Sequence, residues 1–480
     1  MKILFVTSEA VPFATSGGLG EVMSALPSAI AGADQNIECD VIMPLYSTVG
    51  DQYKRRMKKV ADIVFNLSWR KTGASVYTLN ENGINYYFVE NGYYCNRAEL
   101  YGEYDDGERF AFFSTAVLEF ILQSGGVPDV VHANDWQTAL SIIYLKTKYS
   151  DTPAFNGVKT VYTVHNIEYQ GKYDLSILND VFALNEEHLP IVEYEGLINL
   201  MKGAIICADA VTTVSERYAA ELEHDYYAFG LAKIIKMCRH KIFGIINGID
   251  YNSYSPRLEG ELYTPYTERA YKSGKAKNKM QLQKELDLEI SRDIPLAVMI
   301  TRLARQKGID LFIHIAEELL AENIQIVVLG TGDGDYEEKL SFLNKYKNFK
   351  ALITFDRALA KRLYAAADMF LMPSMYEPCG LSQMIAMSYG AVPIARNVGG
   401  LSDTVIPYGN EEANGFLFDN YNAHELLYTV KLALAVYSDK NAWSRLVKNA
   451  LKSKFTWDNS AMKYISIYKN LANSEGENEG

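Results

Sequence analysis

Three cations share one short loop in "ITRLARQKGID" (300–310), where Arg302, Arg305 and Lys307 separate an apolar run of strand type from a run of helical spacing. Open α/β sheets bind ligands beyond the carboxyl ends of their strands, and guanidinium and ammonium groups placed there suit a phosphate. A solvated basic loop is the plainer alternative. A second stretch offers backbone geometry without charge. In "FATSGGLGEV" (13–22), Thr15, Gly17 and Gly18 lead into a helix expected from near Glu21. Glycines let a ligand approach the backbone, and helix N–H groups point at an anion, yet this turn holds no Lys or Arg. The second half echoes it as Gly399-Gly400-Leu401-Ser402-Asp403. Two ordinary helix starts would read the same way. A sugar-nucleotide diphosphate carries about −2, one Arg plus one Lys supply +2, and each helix N-terminus adds about half a unit. The charge missing from the first turn is therefore expected from the second half.

Carboxylates and one imidazole complete the set. "SMYEPCGLSQMIAMSYG" (374–390) carries Glu377 on a strand-end loop that enters a helix at about Gly380. Beside a diphosphate this carboxylate would be repelled unless it bonds sugar hydroxyls or orients a cation. "HANDWQTAL" (132–140) and "YTVHNIEYQG" (162–171) place Asp135 and His165 after two first-half strands, where either residue could equally cap a loop. Tyr93, Tyr94, Arg97, Tyr101 and Tyr104 crowd one region. Aromatic faces stack on the apolar faces of ring-shaped ligands, although 34 tyrosines make some clustering expected from packing alone.

These residues need strands to end beneath them. Strands are expected at 2–7, 39–43, 86–89, 129–132, 159–164 and 210–213, with helices at 21–31, 108–124, 136–147 and 196–207. After "NGIDYNSYSP" (247–256) the rhythm restarts. Strands are expected at 296–300, 325–329, 351–355, 369–372 and 392–395, and helices at 309–321, 360–367, 380–389 and 423–436. Alternating buried strands and helices imply doubly wound α/β domains. At 480 residues the chain is long enough for two, with a cleft between them as the economical arrangement.

The bulk numbers narrow the partners. A formal charge of −12 argues against nucleic acid or an anionic membrane surface. Cys39, Cys95, Cys207, Cys238 and Cys379 are odd in number and contain no CxxC pair, so reduced thiols are expected. The N-terminal apolar run is too short for a signal core and no stretch approaches 18 uncharged apolar residues, so a soluble cytoplasmic protein is expected. The tail "LANSEGENEG" reads as frayed.

In order and spacing, "TSEAVPFATSGGLGEV", "HANDWQTAL", "TVHNIEYQGKY", "TTVSERYAAEL", "GIINGID", "TRLARQKGIDL", "MYEPCGLSQMIAMSYGAVPI" and "NVGGLSDTV" resemble bacterial glycogen synthase and plant starch synthase over nearly the whole chain. The resemblance implies the GT-B fold, two Rossmann-like doubly wound domains facing across a cleft. Residues 1–244 would form the acceptor-side domain and 245–456 the nucleotide-sugar domain, with a C-terminal helix, 457–480, crossing back. It implies transfer of glucose from ADP-glucose to the non-reducing end of an α-1,4-glucan such as glycogen, with retention and with no metal or cofactor. It further implies that Arg302 and Lys307 hold the diphosphate, with Glu377 at the transferred sugar. Asp135 and His165 would stand at the reacting centre, the His165 backbone carbonyl facing oxocarbenium character. The Gly17-Gly18 and Gly399-Gly400 turns would cradle phosphate and sugar. Thr15, Glu21, Tyr94, Asn247, Cys379, Gly380, Leu381 and Ser382 would line the substrates, with Phe355 near the base.

Two positions depart from the family pattern. The glycine turn commonly reads KTGGL, and Thr15 stands at the Lys position; the DWH after the strand reads Asp135-Trp136-Gln137. Losing a phosphate-side Lys removes a contact that ordinarily contributes about 1.5–3 kcal/mol. Weak donor affinity, another donor such as UDP-glucose, a cation from elsewhere, or a glucan-binding paralogue that no longer transfers sugar would each fit. A nicotinamide dehydrogenase fails, because 17–22 reads GGLGEV rather than GxGxxG and the second strand ends Met43-Pro44-Leu45. A hydrolase built on Asp135 and Glu377 leaves the cationic loop without a task. No stretch resembles the cofactor lysine site of a pyridoxal phosphorylase. In "LGTGDGDYEEK" (329–339), Asp333 and Asp335 read as a helix cap rather than a metal motif.

Overall fold

The computed structural model describes residues 1–97, 99–258 and 260–473. The chain divides into two compact units, Met1–Ile246 with the segment from Trp457, and Asn247–Thr456. In the first, strands β1 (Lys2–Val6), β2 (Glu38–Pro44), β3 (Lys58–Leu67), β4 (Arg70–Glu81), β5 (Ile84–Glu90), β6 (Val130–Asn134), β7 (Lys159–Val164), β8 (Lys172–Tyr173), β9 (Glu193–Tyr194), β10 (Leu197–Asn199), β11 (Ala210–Thr213) and β12 (Ile242–Gly244) appear in chain order. Nine of them form one sheet, ordered β12-β11-β7-β6-β1-β2-β5-β4-β3. Neighbours from β12 to β5 run parallel, whereas β4 is antiparallel to both β5 and β3. The remaining three make a small antiparallel sheet, β8-β10-β9.

Successive side chains of a strand point to opposite faces, and β1 shows why both faces fill. Ile3 and Phe5 join a core shared with the helices Gly18–Ala33 and Trp457–Asn473. Leu4 and Val6 join the other, against the helix Asp106–Ser124. The order reverses at β1, with β2 on one side and β6 on the other, so the loops after β1 and β6 flank the switch point where such sheets hold ligands.

The second unit holds β13 (Leu296–Ile300), β14 (Gln325–Gly330), β15 (Phe349–Ile353), β16 (Met369–Met372), β17 (Val392–Arg396) and β18 (Phe416–Phe418). They form a parallel sheet ordered β15-β14-β13-β16-β17-β18. Its switch point lies between β13 and β16.

The buried parallel strands sit where the apolar runs place them. Three expectations change. The edge pair β3–β4 carries interspersed Lys, Arg, Asp and Thr and offers no continuous apolar run, so the first sheet is mixed rather than wholly parallel. Residues 197–199, expected within a helix, form β10, and the helix begins at Leu200 under an Asn199 cap. The first helix begins at Gly18, not near Glu21. Asp333 does cap the helix Gly334–Phe342, accepting from Asp335 N–H. The C-terminal helix is described to Asn473, and the remainder of the expected 457–480 span lies outside the described residues. No helix among the described residues is long and apolar enough to cross a membrane.

That helix is keyed to the sheet by a polar contact. Tyr468 OH lies 2.7 Å from His132 Nδ1, and His132 Nε2 lies 2.6 Å from Thr163 Oγ1, all buried. Burial lowers the His132 pKa to about 3. An unfolded imidazole protonates near 6.5, so the unfolded chain takes up the proton first and this contribution to stability falls as the pH drops from about 6.5 toward 3. Tyr468→Phe leaves a buried imidazole nitrogen unpaired and is expected to cost about 1–3 kcal/mol. Urea unfolding at pH 7.5 followed by a first-domain fluorescence probe reads the loss; an unchanged midpoint would remove the contact from the stability account.

Candidate functional site

In the second domain, the loops after β13 and β16 meet through one ion pair. Lys307 Nζ lies 2.9 and 2.7 Å from the two Glu377 carboxylate oxygens, and Ser374 Oγ donates to Oε2 at 3.0 Å. Glu377 is buried and Lys307 nearly so. With Thr301, Gly380, Leu381 and Ser382 they line a cavity of about 60 Å³ at the switch point. Backbone bonds fix both loops. Met375 N–H donates to Gln306 O at 2.8 Å, Gly400 N–H to Glu377 O at 3.0 Å, and the buried Arg396 donates to the carbonyls of Met375 and Asp419.

Close backbone packing explains the glycines. A Cβ on Gly400 would fall 1.9 Å from the Cys379 carbonyl oxygen, and one on Gly399 (φ +43°) 2.0 Å from that of Glu377. A Cβ on Gly330 would fall 1.8 Å from Thr301 O, so the cationic loop rests on the turn after β14. The expected echo is thus weaker than it reads. Gly399–Thr404 is a six-residue helix with no acid in its first turn, and its glycines fit it against the Glu377–Cys379 backbone. The helix expected from Gly380 begins at Ser382, because Gly380 takes a left-handed φ of +69°.

Arg302 and Arg305 are exposed on the same loop. Arg302 meets Gln306 at 3.4 Å and has no carboxylate partner among the described residues. Asn247 is buried with its carboxamide oxygen unpartnered, against Cys379, whose thiol burial pushes up to about 12. Phe355 is 80% exposed on the loop after β15.

In the first domain, Asp135 takes a left-handed φ of +58° directly after β6, and its Oδ1 accepts His165 N–H at 2.8 Å. Asn166 N–H also bonds that carboxylate. Desolvation raises the Asp135 pKa to about 7, with the Glu9 charge adding to the rise. His165 Nε2 lies 2.9 Å from Asn134 Oδ1. Asn134 directs its amide nitrogen to the Val6 and His132 carbonyls, so its oxygen faces His165 and Nε2 carries the proton. Burial lowers the His165 pKa to about 3, leaving the ring neutral at pH 7.

The glycine turn after β1 differs from an open anion seat. The buried Glu9 carboxylate accepts Ser16 N–H at 2.6 Å, Ser16 Oγ–H at 2.8 Å, Gly17 N–H at 3.2 Å and Tyr101 OH at 2.5 Å. Donors expected to meet a phosphate at Gly17 are committed to an internal acid. Gly18 opens the helix and Glu21 lies in its first turn. The sequence signal was the acid three residues after a buried strand, in "TSEA". Tyr94 is also corrected as a substrate residue. It is buried, stacked on Phe112 at 4.3 Å and bonded through its hydroxyl to Glu108 at 2.7 Å, so its face is taken by the core.

Residues 2–237 match the model of the starch synthase catalytic domain, and residues 283–452 that of glycosyl transferases group 1. Glycogen synthase of Clostridium novyi (strain NT) is 44% identical over 479 residues, covering 98% of this chain and 99% of that protein. Glycogen synthase of Bacillus subtilis (strain 168) is 43% identical over 485 residues, covering 99% of each. This chain belongs to the glycogen and starch synthase family. Among solved structures, the catalytic domain of starch synthase IV from Arabidopsis thaliana, bound to ADP and acarbose, matches with a TM-score of 0.90 and 32% identity over 98% of this chain and 99% of that one. The fold is GT-B.

At the two departures from the family's pattern, Thr15 Oγ1 donates to Gly17 O at 3.0 Å, closing the turn locally, and Gln137 is buried with its Oε1 unpartnered. Ser374, three residues before Glu377, and Arg396, which reaches the Met375 carbonyl of the same loop only through the fold, were missed because the sequence does not show which groups their side chains meet.

Two outcomes follow. Lys307→Ala strands the Glu377 charge in a buried setting and should destabilise the second domain by on the order of 3 kcal/mol; Lys307→Met with Glu377→Gln should recover most of that without restoring activity, as calorimetry and assay would show. Asp135→Asn removes a carboxylate that releases its proton later folded than unfolded. Its gain in melting temperature over the wild type should grow from pH 4 to pH 7 and level off above, reflecting up to about 4 kcal/mol. A pH-independent difference would refute the assigned titration.

Proposed function

We propose that this chain, a glucan-elongating glucosyltransferase by family, transfers glucose from ADP-glucose to the non-reducing end of an α-1,4-glucan with retention of configuration. The observation that carries the reading is the Lys307–Glu377 pair lining the switch-point cavity of the second domain. A carboxylate alone would repel a diphosphate; neutralised by Lys307, it can accept sugar hydroxyls beside one. Arg302, exposed on the same loop, supplies a planar donor for phosphate. Charge that builds on the departing nucleotide is stabilised by these two cations. Asn247, Cys379, Gly380, Leu381, Ser382, Gly399 and Gly400 are assigned to the walls around the sugar and phosphates, and Phe355 to the base.

The first domain is assigned the acceptor and the reacting centre. Asp135 holds the His165 and Asn166 backbone, so it acts on the chemistry by fixing where the His165 carbonyl stands. A neutral His165 ring contributes no cation of its own at pH 7, which favours a role for that carbonyl over one for the imidazole. Thr15, Gly17, Gly18 and Glu21 are assigned to substrate through the turn that Glu9 clasps.

Single-turnover assays with labelled ADP-glucose and glycogen test the reading. Glucan elongation with a retained α-linkage is expected, and ADP-glucose should outcompete UDP-glucose. No elongation at millimolar donor with retained glucan binding would favour a non-catalytic paralogue, the outcome that Thr15 and Gln137 motivate. Arg302→Ala should lower kcat/KM about 10²-fold, and an effect below about threefold would remove Arg302 from the mechanism. Thr15→Lys should tighten donor binding about tenfold if the turn meets the diphosphate; unchanged affinity would place the turn elsewhere.

A further inference from the structure

Trp69 occupies the two-residue turn between β3 and β4, after Ser68 at φ +52°. Such turns favour Asn, Asp and Gly, so folding does not ask for an indole there. The residue is 74% exposed, yet its ring is not loose. Indole Nε1–H donates to Asp180 Oδ1, from a segment 111 residues away. The Arg70 guanidinium lies 4.7 Å from the ring centroid, and Arg70 itself donates to the Asp180 carbonyl at 2.8 Å and carboxylate at 3.2 Å. Arg70 also approaches Glu108 at 3.6 Å, tying the turn to the helix Asp106–Ser124. One ring face is covered and one edge pinned, which leaves an immobilised apolar face turned to water.

We propose that Trp69 is a glucan-docking platform separate from the transfer site. The proposal rests on the reading that the acceptor is an α-glucan. A pyranose ring offers an apolar C–H face to an indole, while its hydroxyls suit the flanking Asp180 carboxylate and Arg70 guanidinium. Because the ring is already fixed, stacking costs little side-chain entropy. Topology puts the platform on a useful edge. β3 and β5 are both antiparallel to β4, so β3 ends at the same carboxyl rim as β1 and β6, where Thr15 and Asp135 lie. Four strand spacings separate β3 from β1, about 19 Å at about 4.8 Å each. A polymer anchored there keeps its other segments at high local concentration near that rim, whereas a trisaccharide is too short to use both places.

Electrophoresis through glycogen-containing gels, paired with transfer assays, tests this. Trp69→Ala should weaken retention by glycogen about five- to tenfold and raise the apparent KM for glycogen similarly, while transfer to maltotriose stays within about twofold. Trp69→Phe, which keeps a ring face, should retain most of the binding, and Asp180→Ala, which frees the ring, should fall between. Glycogen retention of Trp69→Ala equal to the wild type would overturn the platform, and so would an equal loss on maltotriose. A changed sedimentation coefficient with unchanged glycogen retention would make Trp69 a contact between copies and also overturn it. Loss of retention in a protein that proves unable to transfer glucose would leave the platform standing and sink the transferase reading instead.

Discussion

The second domain is organised around a carboxylate that its own fold makes costly. Glu377 is buried, and removing a charge from water costs several kcal/mol unless a counter-charge and hydrogen bonds replace the solvent. Lys307 and Ser374 supply both. That requirement sets the loops in turn: the chain after β13 must deliver Lys307, the chain after β16 must deliver Glu377, and both strands must end side by side. Arg396, Gln306 and the amide of Gly400 then pin the second loop's backbone. Close approach leaves no room for a Cβ at Gly399 or Gly400.

The first domain meets a similar demand differently. Glu9 is also a buried acid, but amides, a serine and a tyrosine hydroxyl satisfy it instead of a cation. Its charge stays uncompensated by any ion pair among the described residues and is felt by Asp135. One domain thus offers a neutralised acid beside an exposed guanidinium, and the other a pair of acids among neutral donors. This division is consistent with sending the anionic donor to the former and the uncharged polyol to the latter.

How much of this was legible follows from what burial does to a sequence. β1, β6, β7, β13 and β16 are covered on both faces, so they read as apolar runs, and the residues just beyond them, Asp135, His165, Lys307 and Glu377, could be placed at strand ends from the sequence alone. The hairpin β3–β4 could not, because an edge pair alternates with charge. Nor could the state of each group. A carboxylate looks the same in sequence whether it meets solvent, a lysine or two amides and two hydroxyls, and only the fold shows that Lys307 is taken by Glu377 and the Gly17 amide by Glu9. Tyr94 failed for a related reason: a tyrosine that stacks on a core phenylalanine and one that stacks on a sugar share the same letter.

The route of the chain carries one more consequence. The first domain is left at Ile246 and rejoined only at Trp457, so the second is an insertion within it. During synthesis the inserted domain emerges whole before Tyr464 and Tyr468 do, and one face of the first sheet, with His132 and Phe5, has only the helix Gly18–Ala33 as cover until they arrive. The part made first is therefore the part completed last, and in the interval its apolar sheet face is what a chaperone would hold.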